Sequence, residues 1–158
     1  MKFSKILKDN WQITLVLILS IIIRIYRVDS LITIGGDQGQ DLEIIQQISQ
    51  GNLTLLGPKI AHIQGVPFYL GPVYYYLQLP FIWLSGFDPI GTVIPIIFAR
   101  SVTLIFVYII SLKIFGKTEA VLASIIAALS PYWVDKLGYP SPVYLVLPIA
   151  SSIILLVI

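Results

Sequence analysis

The chain has 158 residues, 57% hydrophobic and only 11% charged, with a mean hydropathy of +0.91. Soluble domains carry about a quarter charged residues, so the composition argues against an ordinary soluble domain. A net charge of +2 without a basic, aromatic-interleaved stripe gives no support for nucleic acid as a partner, and the absence of cysteine excludes disulfides, thiolate metal sites and cysteine nucleophiles.

Lys2, Lys5 and Lys8 precede a first apolar run, expected to span the membrane over 11–27. A cleaved signal peptide would place small residues after such a run. Arg24-Ile25-Tyr26-Arg27 follows instead, which favours an uncleaved span with an aromatic and basic end at the interface. Residues 28–89 then form an outer loop. Within it Gly35-Gly36 breaks the chain, and Leu42, Ile45, Ile48 and Ser49 recur at helical spacing. A short amphipathic surface helix is expected over 37–50, opened by Asp37 with Gln40 as a capping box and closed by Gly51-Asn52.

The stretch 67–85 is apolar and aromatic, but it holds Gly71-Pro72 and Pro80 and barely reaches the roughly 20 residues a crossing requires. Further spans are expected over 90–113, 119–134 and 143–158, with a basic turn at Lys113–Lys117 and a polar turn over 135–141. The three leading lysines put the N-terminus in the cytoplasm. If 67–85 is a half-spanning or interfacial segment, the Lys113–Lys117 turn also falls inside and the acidic loop stays outside. The expected fold is therefore an all-α integral membrane protein, a polytopic helical bundle with an amphipathic juxtamembrane helix in its first outer loop. The final apolar run reaches Ile158 without an interfacial anchor, so residues 1–158 are expected to be the N-terminal part of one transmembrane domain in a longer protein.

Asp37 is the first candidate for chemistry. A carboxylate after two glycines, at the start of a surface helix, can take a proton from a hydroxyl or coordinate a cation. It can equally be a helix N-cap, and the two roles are compatible. Asp41 lies one turn later on the same face, as an acid partner or as a solvated charge favouring a helix N-terminus. A divalent metal at this pair is conceivable, but no cofactor is firmly expected. Glu43 points elsewhere. Arg100 sits inside an apolar span, where an ionisable residue is costly; it suits a lipid phosphate, or it snorkels or pairs with an acid such as Asp88. Lys59 and His62 in the outer loop are further candidates for an anionic head group. Tyr74, Tyr75, Tyr76 and Trp83 read as an interfacial belt, with sugar or lipid stacking as the other option. Asn52-Leu53-Thr54 matches a glycosylation sequon. There is no P-loop, dinucleotide fingerprint or His/Glu zinc motif.

Four stretches, in order, resemble the membrane glycosyltransferases of the GT-C class, in the bacterial branch related to protein O-mannosyltransferases and the aminoarabinose transferase of lipid A. They are Arg24-Ile25-Tyr26-Arg27; Gly36-Asp37-Gln38-Gly39-Gln40-Asp41; Gly71-Pro72-Val73-Tyr74-Tyr75-Tyr76-Leu77; and Ala99-Arg100 followed by Leu112-Lys113-Ile114-Phe115-Gly116. The resemblance implies a sugar donor on a polyprenyl phosphate and inverting transfer to a protein, lipid or glycan acceptor at the outer face. It implies Asp37 as general base or acceptor-orienting carboxylate, and Arg100 or Lys59 as the group neutralising the lipid phosphate. It also implies a bacterial or archaeal plasma membrane. Many members carry a second acid in the next outer loop. Here Gly138-Tyr139-Pro140-Ser141-Pro142 has none and Asp135 comes earlier, so a two-carboxylate or metal mechanism is not implied. The expected function is glycosyl transfer. The alternatives are a transporter or lipid flippase, which would need charges lining a path, and a non-catalytic membrane scaffold.

Overall fold

A computed structural model describes residues 11–26, 28, 32, 35–63, 66–130, 144 and 146–157. Lys2, Lys5, Lys8, Asp135 and the 138–142 loop lie outside the described residues. Six α-helices and one β-hairpin are present among those described: α1 Trp11–Ile25, α2 Gly36–Ser49, β1 Lys59–Ile63, β2 Val66–Tyr69, α3 Val73–Leu84, α4 Val93–Ile114, α5 Lys117–Leu129 and α6 Val146–Val157. A 3-10 turn, Pro89–Thr92, leads into α4; Asp88 caps it by accepting from the Ile90 N–H at 2.9 Å.

The expectation of a polytopic bundle is not met. Among the described residues only Pro89–Ile114, 26 residues, is long and apolar enough to cross a membrane. The apolar helices Trp11–Ile25 and Val146–Val157 are shorter than 18 residues. At about 1.5 Å per residue, the 15 residues of α1 fall well short of a hydrocarbon core about 30 Å thick. Within the expected span 119–134, α5 ends at Leu129 and Ser130 is extended at ψ 121°. Pro131 follows it, and a residue before proline is steered out of the helical region. Gly116, at φ 112°, separates α4 from α5, a conformation that favours glycine.

The stretch 67–85 is divided as well. Val66–Tyr69 pairs antiparallel with β1, with His62 opposite Pro67 and Ile63 opposite Val66, and only Val73–Leu84 is helical. The hairpin base is closed by the Gly57 N–H donating to the Leu70 carbonyl at 2.8 Å and the Leu70 N–H to the Pro58 carbonyl at 3.1 Å.

Buried apolar residues form three clusters among the described residues, one of which joins Val93 and Ile96 of α4 to Tyr144. Helix α1 turns Ile13, Val16, Ser20 and Arg24 inward, spacings that put one helical face against a neighbour. Ile13 and Val16 join Leu104 and Tyr108 of α4 and Ala120 and Ala128 of α5. The buried face of α5 is Ala120, Ser124 and Ala128; residues this small let two helix backbones approach closely. Hydroxyls in this region are satisfied locally: Thr103 donates to the Ala99 carbonyl at 2.9 Å and Ser124 to the Ala120 carbonyl at 2.8 Å. The opposite faces present Leu15, Ile18, Leu19 and Ile22 on α1, Phe98 on α4 and Ile126 on α5 outward. The second cluster joins α2 to α3 through Ile45, Ile48, Tyr74, Tyr75 and Ile82.

Candidate functional site

Helix α2 begins at Gly36, one residue before the expected start, with Gly35 as its N-cap. The Gln38 side chain reaches back to accept from the Gly35 N–H at 3.1 Å. Asp37 is therefore not the cap, and Gln38 rather than Gln40 supplies the reaching side chain. Released from capping, Asp37 is exposed in the first turn, where a negative charge interacts favourably with the helix dipole.

Asp41 follows one turn later and is half-buried. It faces the N-terminal half of α3. Tyr74 and Tyr75 there are 5% and 0% exposed, and their rings meet edge to face with centroids 5.2 Å apart. Burial pushes the Asp41 carboxyl up to about 6; the Tyr75 hydroxyl pulls it down, and the charge of Asp37 adds to the rise. Tyr75 is electrostatically coupled to Asp41, and its hydroxyl has no partner within hydrogen-bonding geometry. Burial and Asp41 together push both phenols above the usual tyrosine range, which keeps them protonated as donors. Tyr74 has a polar contact with Gln78, whose buried Oε1 has no hydrogen-bond partner. Beneath the ring, a Cβ on Gly57 would lie 2.7 Å from Tyr75 Cε2 and 3.0 Å from the Leu70 carbonyl oxygen. The hairpin base thus packs directly on Tyr75, and only glycine leaves room.

The tyrosine run is not a uniform interfacial belt. Tyr74 and Tyr75 are core, the Tyr76 hydroxyl donates to the Thr54 carbonyl at 3.0 Å, and Trp83 is exposed. The inward spacing of Tyr74, Tyr75, Gln78 and Ile82 is the helical signal that could have singled them out.

Arg100 is 2% exposed, with its guanidinium 4.6 Å above the Tyr144 ring, a cation–π arrangement. A second buried arginine, Arg24, lies close enough for the two charges to repel. It donates to the Ser20 carbonyl at 2.8 Å, to the Ser20 hydroxyl, and to the Ala128 carbonyl at 3.4 Å. Sequence reasoning singled out Arg100 by its apolar surroundings. Arg24, at the end of an apolar run, looked like an interfacial residue and was missed as a buried one. An apolar groove of about 300 Å³ is lined by Ile25, Val28, Ile90, Val93, Ile94 and Ile97.

The other candidates are more ordinary. Lys59 is exposed on the hairpin, whereas Arg100 is enclosed in the helical cluster. Glu43 is exposed and accepts from Gln47 at 3.3 Å. His62 has its backbone in β1, and its side chain lies outside the described residues. Asn52 is exposed, and the Thr54 hydroxyl is engaged with the Leu56 backbone. Among the described residues no group of three or more His, Asp or Glu side chains is placed to hold a metal ion.

The arrangement offers an exposed carboxylate followed by a half-buried one and two phenols, and elsewhere two buried guanidiniums and an apolar groove. Compared with models of known protein families, with curated proteins and with solved structures, the chain matches none of them.

Proposed function

We propose that this protein is a glycosyltransferase that moves a sugar from a polyprenyl-phosphate donor to a hydroxyl-bearing acceptor at the outer face of a bacterial or archaeal plasma membrane. The observation that carries the reading is the presentation of Asp37: a solvent-exposed carboxylate on the first turn of a helix, released from capping by Gly35 and Gln38. In such a reaction the acceptor hydroxyl attacks the anomeric carbon, its proton passes to a carboxylate, and the bond to the lipid phosphate breaks with inversion. Asp37 is the base or the group that orients the acceptor. Negative charge grows on the departing phosphate, and preorganised cations there contribute much of the rate enhancement. Arg100 is assigned to that role, with Lys59 as the surface cation nearer the aqueous phase. The apolar groove lined by Ile25, Val28, Ile90, Val93, Ile94 and Ile97 suits a hydrocarbon tail. The helix Pro89–Ile114 holds the protein at the bilayer.

The test is label transfer by the full-length protein in membranes supplied with radiolabelled polyprenyl-phosphate sugars. The native protein transfers label, and Asp37→Asn lowers the rate by about 10²–10⁴-fold, the usual worth of a general base. Transfer that survives Asp37→Asn unchanged removes Asp37 from the mechanism. Accumulation of a solute in proteoliposomes, with no sugar transfer, assigns the protein to transport instead.

A further inference from the structure

The last turns of α2 and α3 lie together, with Ile48 and Ile82 buried in one cluster. Beside them an open cleft of about 310 Å³ is lined by Gln46, Ser49 and Gln50 of α2 and by Trp83 and Phe87. Ser49 and Trp83 also wall a neighbouring hollow of about 340 Å³, completed by Leu79 and Pro80. Each falls at the lower end of the ~300–1,000 Å³ range of small-ligand sites. Residues 46, 49 and 50 share one helical face, and all are exposed. The Ser49 hydroxyl donates to the Gln46 carbonyl at 2.6 Å, which leaves its oxygen as an acceptor. Trp83 is 69% exposed. The turn after it is fixed, because the Gly86 N–H donates to the Trp83 carbonyl at 3.1 Å and the Phe87 N–H to the Ile82 carbonyl at 2.8 Å, the pattern of a Schellman cap. Phe87 stands at φ 65°, where bulky residues are rare, and strain of this kind recurs at ligand sites.

We propose that this cleft binds a neutral sugar residue, with the Trp83 indole as stacking platform and the Gln46 and Gln50 amides and the Ser49 hydroxyl as hydrogen-bond partners. A sugar ring carries polarised C–H groups on its faces and hydroxyls around its rim. The face of an aromatic ring is negative and takes the C–H groups. Each amide offers donors and an acceptor, which suit hydroxyls of either sense. Among the described residues none of the lining side chains is charged, which sets the cleft apart from a phosphate site, where arginine or lysine grips the anion. A hydrocarbon chain fits less well, because it would cover Gln46, Ser49 and Gln50 without giving them partners. An interfacial tryptophan needs no such polar wall. Sugar binding here stands by itself; that the bound glycan is the acceptor rests on the transfer reading. Gln46 lies nine residues beyond Asp37 on α2, about 14 Å along the helix axis, so the sugar held at Trp83 is not the one that reacts. It is a neighbouring unit of the acceptor, and holding it positions the reacting hydroxyl.

The experiment uses the whole chain in lipid nanodiscs, labelled with ¹⁵N-glutamine and fluorotryptophan and titrated with neutral di- and trisaccharides of mannose and glucose. The Trp83 fluorine resonance, assigned by its loss in Trp83→Tyr, and the Gln46 and Gln50 side-chain amides shift together and saturate at about millimolar sugar. Binding by the variants is read from the sugar, by saturation-transfer NMR. Trp83→Ala weakens it about tenfold, and Trp83→Tyr keeps it within about threefold of the native chain. Gln46→Ala and Gln50→Ala each weaken it about fivefold, the worth of one net hydrogen bond. All three side chains are exposed, so these variants keep the fold, which circular dichroism verifies. The absence of any saturable shift overturns the proposal, as does binding unchanged in Trp83→Ala. So does a Trp83 resonance that nitroxide-labelled lipid broadens and sugar leaves unmoved, which assigns the ring to the bilayer interface. A failed transfer assay with sugar binding intact removes the acceptor role alone, whereas transfer without a sugar-induced shift removes the cleft alone.

Discussion

Replacing Gly57 by alanine tests whether the hairpin base fixes Tyr75. The added methyl would meet Tyr75 Cε2 at 2.7 Å, the Leu70 carbonyl oxygen at 3.0 Å and Leu70 Cβ at 3.2 Å, whereas ordinary contact begins at 3.4 Å. The ring would have to retreat by about 0.7 Å, the difference between 3.4 and 2.7 Å. It has nowhere to go: Tyr75 is 0% exposed and packed edge-on against Tyr74. The Leu70 carbonyl is held in turn by its 2.8 Å hydrogen bond from the Gly57 N–H. Overpacking of this kind costs about 1–3 kcal/mol. Equilibrium denaturation of the chain in mild detergent, followed by near-ultraviolet circular dichroism of the tyrosines, measures the loss. Gly36→Ala is the control, since a Cβ there meets nothing within 4 Å; alanine at a helical position is worth up to about 1 kcal/mol over glycine. A Gly57→Ala protein as stable as Gly36→Ala would refute the packing argument.

Two further predictions follow from local geometry and charge. Phe87 is a non-glycine residue at φ 65°, so Phe87→Gly is more stable than Phe87→Ala by about 1 kcal/mol in the same denaturation assay, an alanine in that region being strained. The Asp41 carboxyl is raised from 3.8 to about 6 in the folded chain, so the folded state binds this proton more tightly than the unfolded state does. Its contribution to stability is fully present below pH about 4 and is lost as pH rises through about 6. The melting temperature of the native chain accordingly declines over that interval, and Asp41→Asn removes the part of the decline due to this residue.

Much of the local architecture was legible along the chain. The Gly35-Gly36 break and the spacing of Leu42, Ile45 and Ile48 mark a helix over 37–50, and α2 occupies Gly36–Ser49. The basic turn read at Lys113–Lys117 lies where Gly116 separates α4 from α5. Arg100 stood out because charge in an apolar run is costly, and it is buried. The hairpin was not legible. Its strands are short, β2 carries Pro67, and its residues belong to an aromatic run that read as one segment. At Ser130, before Pro131, hydropathy continues where the backbone leaves the helix.

Composition and periodicity by themselves determined that this chain is rich in apolar helix, that its acids gather around Asp37 and Asp41, and that Arg100 stands in apolar surroundings. These are properties of residues and their near neighbours, which spacing records. Tertiary structure alone decided that Tyr75 is electrostatically coupled to Asp41, that Gly57 lies against its ring, that Arg24 is buried near Arg100, and that among the described residues one stretch, Pro89–Ile114, has the length and character to cross a membrane. Tyr75 and Asp41 are separated in sequence by a loop and a hairpin, and Arg24 and Arg100 by nearly half of the chain. Burial and charge coupling depend on which helix faces come together, and no local pattern in the sequence carries that information.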